Sequence, residues 1–276
     1  MKKFKVGIQL YSLRDEMEKD MDATLKDVKN MGYDCVEFAG YFGKTAEEVA
    51  ALLKKHGLEA VSVHQGYEVF LEKPEENVEY LKKIGVKYCA VPWMDVKKHK
   101  GSEDYDKTVA DITSVAKLLK DNGIQMMYHN HDFEFNKYED KYLLDWLYES
   151  VPTDLLEPQI DTCWVRYAGL NPCEYLKKYA GRIEVVHLKD FVCKNFGGEV
   201  YALIDEDGNE IESDSKEDNG FEFRPVGHGI QDMPSIIKAA EEAGATCLIV
   251  EQDQAVTATP IESAKMSRDY LKSIGI

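Results

Sequence analysis

The chain reads as an α/β protein closed into a single-domain (β/α)8 TIM barrel over residues 1–276, with a β-hairpin excursion after strand seven. Three observations predict it. Short apolar runs alternate with amphipathic segments eight times, which implies a parallel sheet with helical crossovers. The length of 276 residues is close to the roughly 250 typical of such barrels. No linker-like composition interrupts the alternation, so a single sizeable core is expected.

Taken in order, strand one covers Lys5 to Leu10, and Met21 to Met31 carries Leu25 and Val28 on a helical repeat, with Gly32 where a C-cap belongs. Strand two is Cys35 to Phe38. Thr45-Ala46-Glu47-Glu48 fits a capping box opening a helix that runs through Val49, Leu52 and Leu53 to His56-Gly57. Strand three is Ala60 to His64, a helix with Pro in its first turn spans Pro74 to Ile84, and strand four is Tyr88 to Val91. A helix over Asp104 to Lys120 buries Val109, Ile112, Val115, Ala116 and Leu119. Ile124 to His129, Leu156 to Asp161, Ile183 to His187 and Cys247 to Glu251 complete the strands. Between them lie helices over Tyr142 to Tyr148, Pro172 to Tyr179 and Pro234 to Ala243, with Pro260 to Ile274 closing the chain. From Phe191 to about Gly229 the pattern breaks. Val200 to Leu203, an Asp207-Gly208 turn and Phe221 to Phe223 read as the hairpin excursion, with a disordered acidic loop as the alternative.

A net charge of −17 disfavours nucleic acid and anionic membranes as partners. Cys35, Cys89, Cys163, Cys173, Cys193 and Cys247 are scattered without CxxC pairs, as reduced packing residues are. No apolar stretch approaches the roughly 18 residues of a membrane span, and the N-terminal run is too short and polar for a signal peptide, so a cytoplasmic location is expected. No glycine-rich nucleotide loop, G-x-S-x-G elbow or H-E-x-x-H occurs.

In such a barrel chemistry sits where strands run out at their C-terminal ends. Those ends supply His64, His129, His131, Asp161, His187 and Glu251. Acids and imidazoles gathered there cost several kcal/mol to desolvate, and a metal ion is the simplest compensation.

Gly7-Ile8-Gln9-Leu10-Tyr11-Ser12, Gln159-Ile160-Asp161-Thr162, Val186-His187-Leu188-Lys189-Asp190, Gly227-His228-Gly229 and Val250-Glu251 follow one another in an order that resembles the xylose-isomerase-like barrel proteins. That family of sugar phosphate isomerases and epimerases includes ketose 3-epimerases, hydroxypyruvate isomerase and inosose dehydratase. The resemblance implies one divalent ion held by an acid from strand five, Asp161, His187 and Glu251. Where relatives usually carry Glu at the end of strand five, this chain has His129-Asn130-His131, with Glu134 the nearest carboxylate. Either His129 or Glu134 completes the set. Glu134 would suit manganese or magnesium and hard oxygen ligands, whereas His129 tilts the site towards zinc, cobalt or iron. His228 stands where relatives commonly place Glu.

The site type implies proton abstraction beside a carbonyl, with the resulting enediolate stabilised by the ion. Glu251 would share proton transfer with His129, His131 or Glu134, and an imidazole, with its pKa near 6.5, suits elimination as well as epimerisation. Lys189 would neutralise an oxyanion, or else be a surface lysine paired with Asp190. Gln9, Tyr11, His64, Trp93 and Trp164, with Arg14 and Glu37, are the candidates for binding a polyol, although the two tryptophans could equally pack at the rim. The expected activity is isomerisation or epimerisation of a sugar or keto-sugar. The alternatives are a lyase or dehydratase on an inosose or 3-keto-glycoside, and a non-catalytic carbohydrate-binding barrel. Nothing beyond a small sugar is expected as a partner, except a second copy in a homodimer.

Overall fold

Eight parallel strands supply the scaffold, and the computed structural model describes them within residues 4–196 and 220–276. The strands are β1 (Lys5–Gln9), β2 (Cys35–Phe38), β3 (Glu59–His64), β4 (Tyr88–Val91), β5 (Gln125–His129), β6 (Leu156–Asp161), β7 (Val185–Leu188) and β8 (Cys247–Val250). Each pairs with its chain neighbours. Gly7 of β1 lies opposite Cys35 of β2 on one side and Ile249 of β8 on the other, which closes the ring.

Local chemistry accounts for where the helices begin and end. Thr45 accepts from the Glu48 amide while Glu48 caps back onto Thr45, opening Ala46–His56, and Gly57 ends it in the left-handed region at φ +64°. Thr259 and Glu262 repeat the reciprocal cap at Pro260–Ser273. The first helix begins earlier than its apolar repeat predicts, at Arg14, and is kinked at Asp20 (φ −157°), whose side chain caps the following turn through the Ala23 amide. A short helix, Thr162–Tyr167, follows β6 directly; its apolar residues carry no readable period over so few positions. Helix faces and outward strand residues form the main core, from Ile8 and Leu25 to Leu248 and Leu271. Among the described residues, no helix is long and apolar enough to cross a membrane.

After β7 the chain leaves the barrel as Asp190–Val192 and returns as Glu222–Arg224, paired antiparallel. The excursion therefore opens and closes as a β-ladder. Its expected Val200 to Leu203 arm and Asp207-Gly208 turn lie outside the described residues. A second antiparallel pair, Lys137–Tyr138 with Lys141–Tyr142, was not anticipated from the sequence.

The returning loop hangs on one carboxylate. Asp190 accepts backbone N–H groups from Phe191, Gly227, Gly229 and Gln231 at 2.9 to 3.2 Å. A Cβ on Gly229 would meet Asp190 Oδ1 at 2.1 Å, so only glycine lets the backbone come this close. Asp190→Ala leaves four amides without their acceptor. It is expected to cost about 3 kcal/mol, read as a fall in melting temperature, with Asp190→Asn intermediate; a melting curve unchanged by Asp190→Ala would contradict this account.

Candidate metal and proton-transfer site

Four strand ends bring their polar side chains together inside the barrel mouth. His129 from β5, Asp161 from β6, His187 from β7 and Glu251 just past β8 each offer one ligand-type atom, and those atoms all lie within 4.8 Å of one another. All four residues are buried. His187 Nδ1 is 3.0 Å from Glu251 Oε2, and His129 Nε2 is 3.8 Å from Asp161 Oδ2.

Asp161 divides its work between two oxygens. Oδ1 accepts from the Cys163 and Trp164 amides and so caps Thr162–Tyr167, while Oδ2 points into the cluster with no hydrogen bond. His129 Nδ1 is likewise buried without a hydrogen-bond partner among the described residues. Buried polar atoms left unmade cost about 1–3 kcal/mol each. A donor set of two imidazoles and two carboxylates with unmet lone pairs fits a divalent cation.

Of the two strand-five candidates, the geometry brings in His129 and leaves Glu134 out. Glu134 turns away, taking the Tyr128 hydroxyl on Oε1 at 2.6 Å and the His131 amide on Oε2 at 2.7 Å. Burial raises its pKa to about 8 despite those donors. Its carboxyl braces the turn after β5 and does not reach back to Asp161.

Lys189 is not a surface lysine, and Asp190 is not its partner. Its ammonium is buried, 2.9 Å from Asp253 Oδ1, 3.1 Å from Glu251 Oε2 and 3.5 Å from Asp161 Oδ2. Burial opposes the charge, but Asp253, Glu251 and Asp161 together hold its pKa well above the usual lysine value. The Trp164 ring lies 5.2 Å from the same ammonium. Lys189 and Asp253 each stand two residues past a cluster member, just beyond the strand ends Leu188 and Val250, and their side chains meet at 2.9 Å.

His131 stands beside the cluster, its ring 5.3 Å from that of His129 and stacked on Phe133 at 5.6 Å. Desolvation by these packed rings and then the Lys189 charge push its pKa down to about 3, so the imidazole is neutral at pH 7. Asp161 is raised to about 6 by burial, offset in part by Lys189. Burial also opposes ionisation of Glu251, yet Lys189 and His187 hold its pKa well below the normal carboxylate value. Glu251 is thus held as an anion in this structure.

The expected sugar-binding residues separate into two groups. Tyr11 and Trp93 are exposed at the rim, and Arg14 lies over the Tyr11 ring at 4.4 Å while donating to the Asp253 carbonyl at 2.8 Å. Trp164 is fully buried among Cys163, Tyr167, Phe191 and Phe223, and its ring stacks on Phe221 at 5.8 Å. It packs the wall behind Lys189. Gln9 and Glu37 are also fully buried, and the Gln9 amide donates to Glu37 at 2.8 Å, so neither presents itself at the mouth. His64 is half-buried below the cluster, where its Nε2 lies 2.8 Å from Gln159 Oε1. His228 is exposed on the returning loop, with Tyr270 as its ring neighbour.

Sequence reasoning gave Asp253 no role, although its spacing from Glu251 repeats that of Lys189 from His187. Nor did it see that Glu37 belongs to the floor of the site. The readable signal was an acid between Val36 and Phe38 in a run otherwise apolar.

A family model described as the xylose isomerase-like TIM barrel matches residues 25–274. Over 280 aligned residues the chain is 26% identical to an inosose dehydratase of Clostridium botulinum, covering 92% of this chain and 90% of that protein. Among solved structures, a sugar phosphate isomerase/epimerase from Parabacteroides distasonis superposes with a TM-score of 0.77 at 19% identity, covering 99% of this chain and 94% of that one. The IOLI protein, solved with a binding zinc atom, gives a TM-score of 0.70 at 16% identity, covering 98% and 97%. At these identities the two solved structures speak to the fold.

Proposed function

Because the chain belongs to the xylose isomerase-like TIM barrel family, we propose that it is a metal-dependent lyase that removes water from a cyclic keto-polyol of the inosose type. The observation that carries proton abstraction is the His131 imidazole, its ring 5.3 Å from that of His129, beside a buried cluster of two acids and two imidazoles. What favours elimination over the isomerisation expected from sequence is the likeness to inosose dehydratases across nine-tenths of the chain.

In this reading His129, Asp161, His187 and Glu251 hold the cation. Two imidazoles among four ligands move the preference from manganese towards zinc, cobalt or iron. Such an ion would supply Lewis-acid polarisation of the substrate carbonyl. His131 takes the proton from the carbon beside that carbonyl and passes it to the departing hydroxyl, which leaves as water, so one imidazole closes the proton balance. A group with so low a pKa is a weak base. The carbon acid must therefore be strengthened by positive charge near the carbonyl oxygen, and the Lys189 ammonium is placed to add to it. Asp253 and Glu251 fix that ammonium. Tyr11 and Trp93 offer aromatic faces at the rim for the sugar ring.

Incubation with an inosose, followed by mass spectrometry, tests the proposal. The expected product is lighter than the substrate by one water. Its formation should stop after dialysis against a chelator and return on adding a divalent cation. A product of unchanged mass would place the chain with the isomerases, and no turnover across inososes, ketoses and 3-keto-glycosides would favour a binding protein.

A further inference from the structure

Among the described residues, Glu37 is the one acid in the barrel floor that touches side chains from four strands other than its own. Its Oε1 lies 2.7 Å from His187 Nε2, 2.9 Å from His64 Nε2 and 2.8 Å from Gln9 Nε2. Its Oε2 accepts from Ser62 Oγ at 2.5 Å and Gln159 Nε2 at 2.6 Å. Every partner can donate to Glu37, and the residue is fully buried. No lone pair faces the mouth for a substrate.

His187 is thereby gripped from both sides. Its Nε2 faces Glu37 from below, and its Nδ1 faces Glu251 within the four-residue cluster. Both ring nitrogens face carboxylates at hydrogen-bond distance, so both donate here; a cation at the cluster would replace the Nδ1 proton and leave Nε2–H on Glu37, with the lone pair on Nδ1. The same carboxylate sets the plane of His64, whose ring lies parallel to that of His187 with centroids 5.2 Å apart. Both rings therefore share one oxygen of Glu37, with Gln159 Oε1 also on His64 and Glu251 Oε2 also on His187.

We infer that Glu37 is a positioning residue for the cation site: it fixes the Nε2–H tautomer and the ring plane of His187, so that Nδ1 is presented as a ligand. The inference rests on the reading of the cluster as a cation site. Gln9, Ser62 and Gln159 donate to the remaining lone pairs of Glu37 and keep it from rotating, so the geometry of one ligand is set by a network reaching from β1 to β7.

Two measurements test this. Titration calorimetry with zinc and with manganese should show Glu37→Gln binding each ion about 10–100-fold more weakly than the parent, the range for losing an outer-shell partner. Circular dichroism should stay that of the folded parent although the melting temperature falls, because the glutamine amide turns an NH2 group towards donors that faced a carboxylate oxygen, and Glu37→Asp, which keeps the charge but shortens the reach, should recover part of the affinity. Histidine nitrogen NMR of the zinc-loaded parent, which needs no substitution, should show His187 protonated at Nε2 with the ion on Nδ1. A folded Glu37→Gln protein binding as tightly as the parent, or a parent with the ion on Nε2, overturns the positioning role alone. A parent that binds neither ion sinks the cation site itself, and this role with it.

Discussion

Asp161→Asn is expected to abolish turnover and to weaken divalent-cation binding by more than about a hundredfold, since even an outer-shell partner is worth about 10–100-fold. The substitution is informative because Asp161 acts at two places. Its Oδ1 caps Thr162–Tyr167 through the Cys163 and Trp164 amides, while Oδ2 enters the cluster with no hydrogen bond, 3.5 Å from the Lys189 ammonium. Asparagine can keep a carbonyl oxygen on the two amides and lose only the anionic oxygen. The fold should therefore survive, as far-UV circular dichroism would report. Calorimetry and the water-loss assay would then fall together. Parent-like cation affinity in Asp161→Asn would remove this residue from the ligand set and with it the four-residue site.

Lys189→Met is expected to reduce kcat by about 10²–10³-fold, the scale of losing one donor to a developing oxyanion, and to destabilise the cation-free protein by about 3–5 kcal/mol. The second effect follows from what the ammonium leaves behind. Asp253, Glu251 and Asp161 all lie within 3.5 Å of Nζ, so removing it takes away the ammonium shared by three buried acids. A bound divalent ion would compensate Glu251 and Asp161. The melting temperature of Lys189→Met should thus recover more on adding zinc than that of the parent does. Equal recovery in both proteins, or near-parental kcat, would return Lys189 to a packing role against Trp164 and Phe223.

The barrel was legible in the sequence because its strands are buried on both faces and so read as continuous apolar runs ending in a polar residue. Asp161, His187 and Glu251 stood out for that reason, and the structure brings them within a ligand's reach of one another. The fourth position was not legible. His129 and Glu134 are only five residues apart, and whether the chain turns back or runs on is decided by the Tyr128 hydroxyl and His131 amide closing on Glu134, which no periodicity reveals. Trp164, left between stacking on a sugar and packing at the rim, was hard to place for a related reason. A tryptophan just past a strand end looks like a rim residue until the short helix Thr162–Tyr167 folds it under Phe221 and Phe223. Glu37 was expected at the mouth because strand ends were read as one level, whereas β2 places its acid lower, beside Ser62 and Gln159.

Asp190 and Lys189 are chain neighbours, and the returning loop grips both: Asp190 takes the amides of Gly227, Gly229 and Gln231, while the Gln231 side chain donates to the Lys189 carbonyl at 2.9 Å. The strand end and the loop are therefore one joint, so the backbone that mounts the buried ammonium is held from outside the barrel. A change at Asp190 or in the Gly227-His228-Gly229 turn would release that backbone and be felt at Lys189, although neither touches the ammonium.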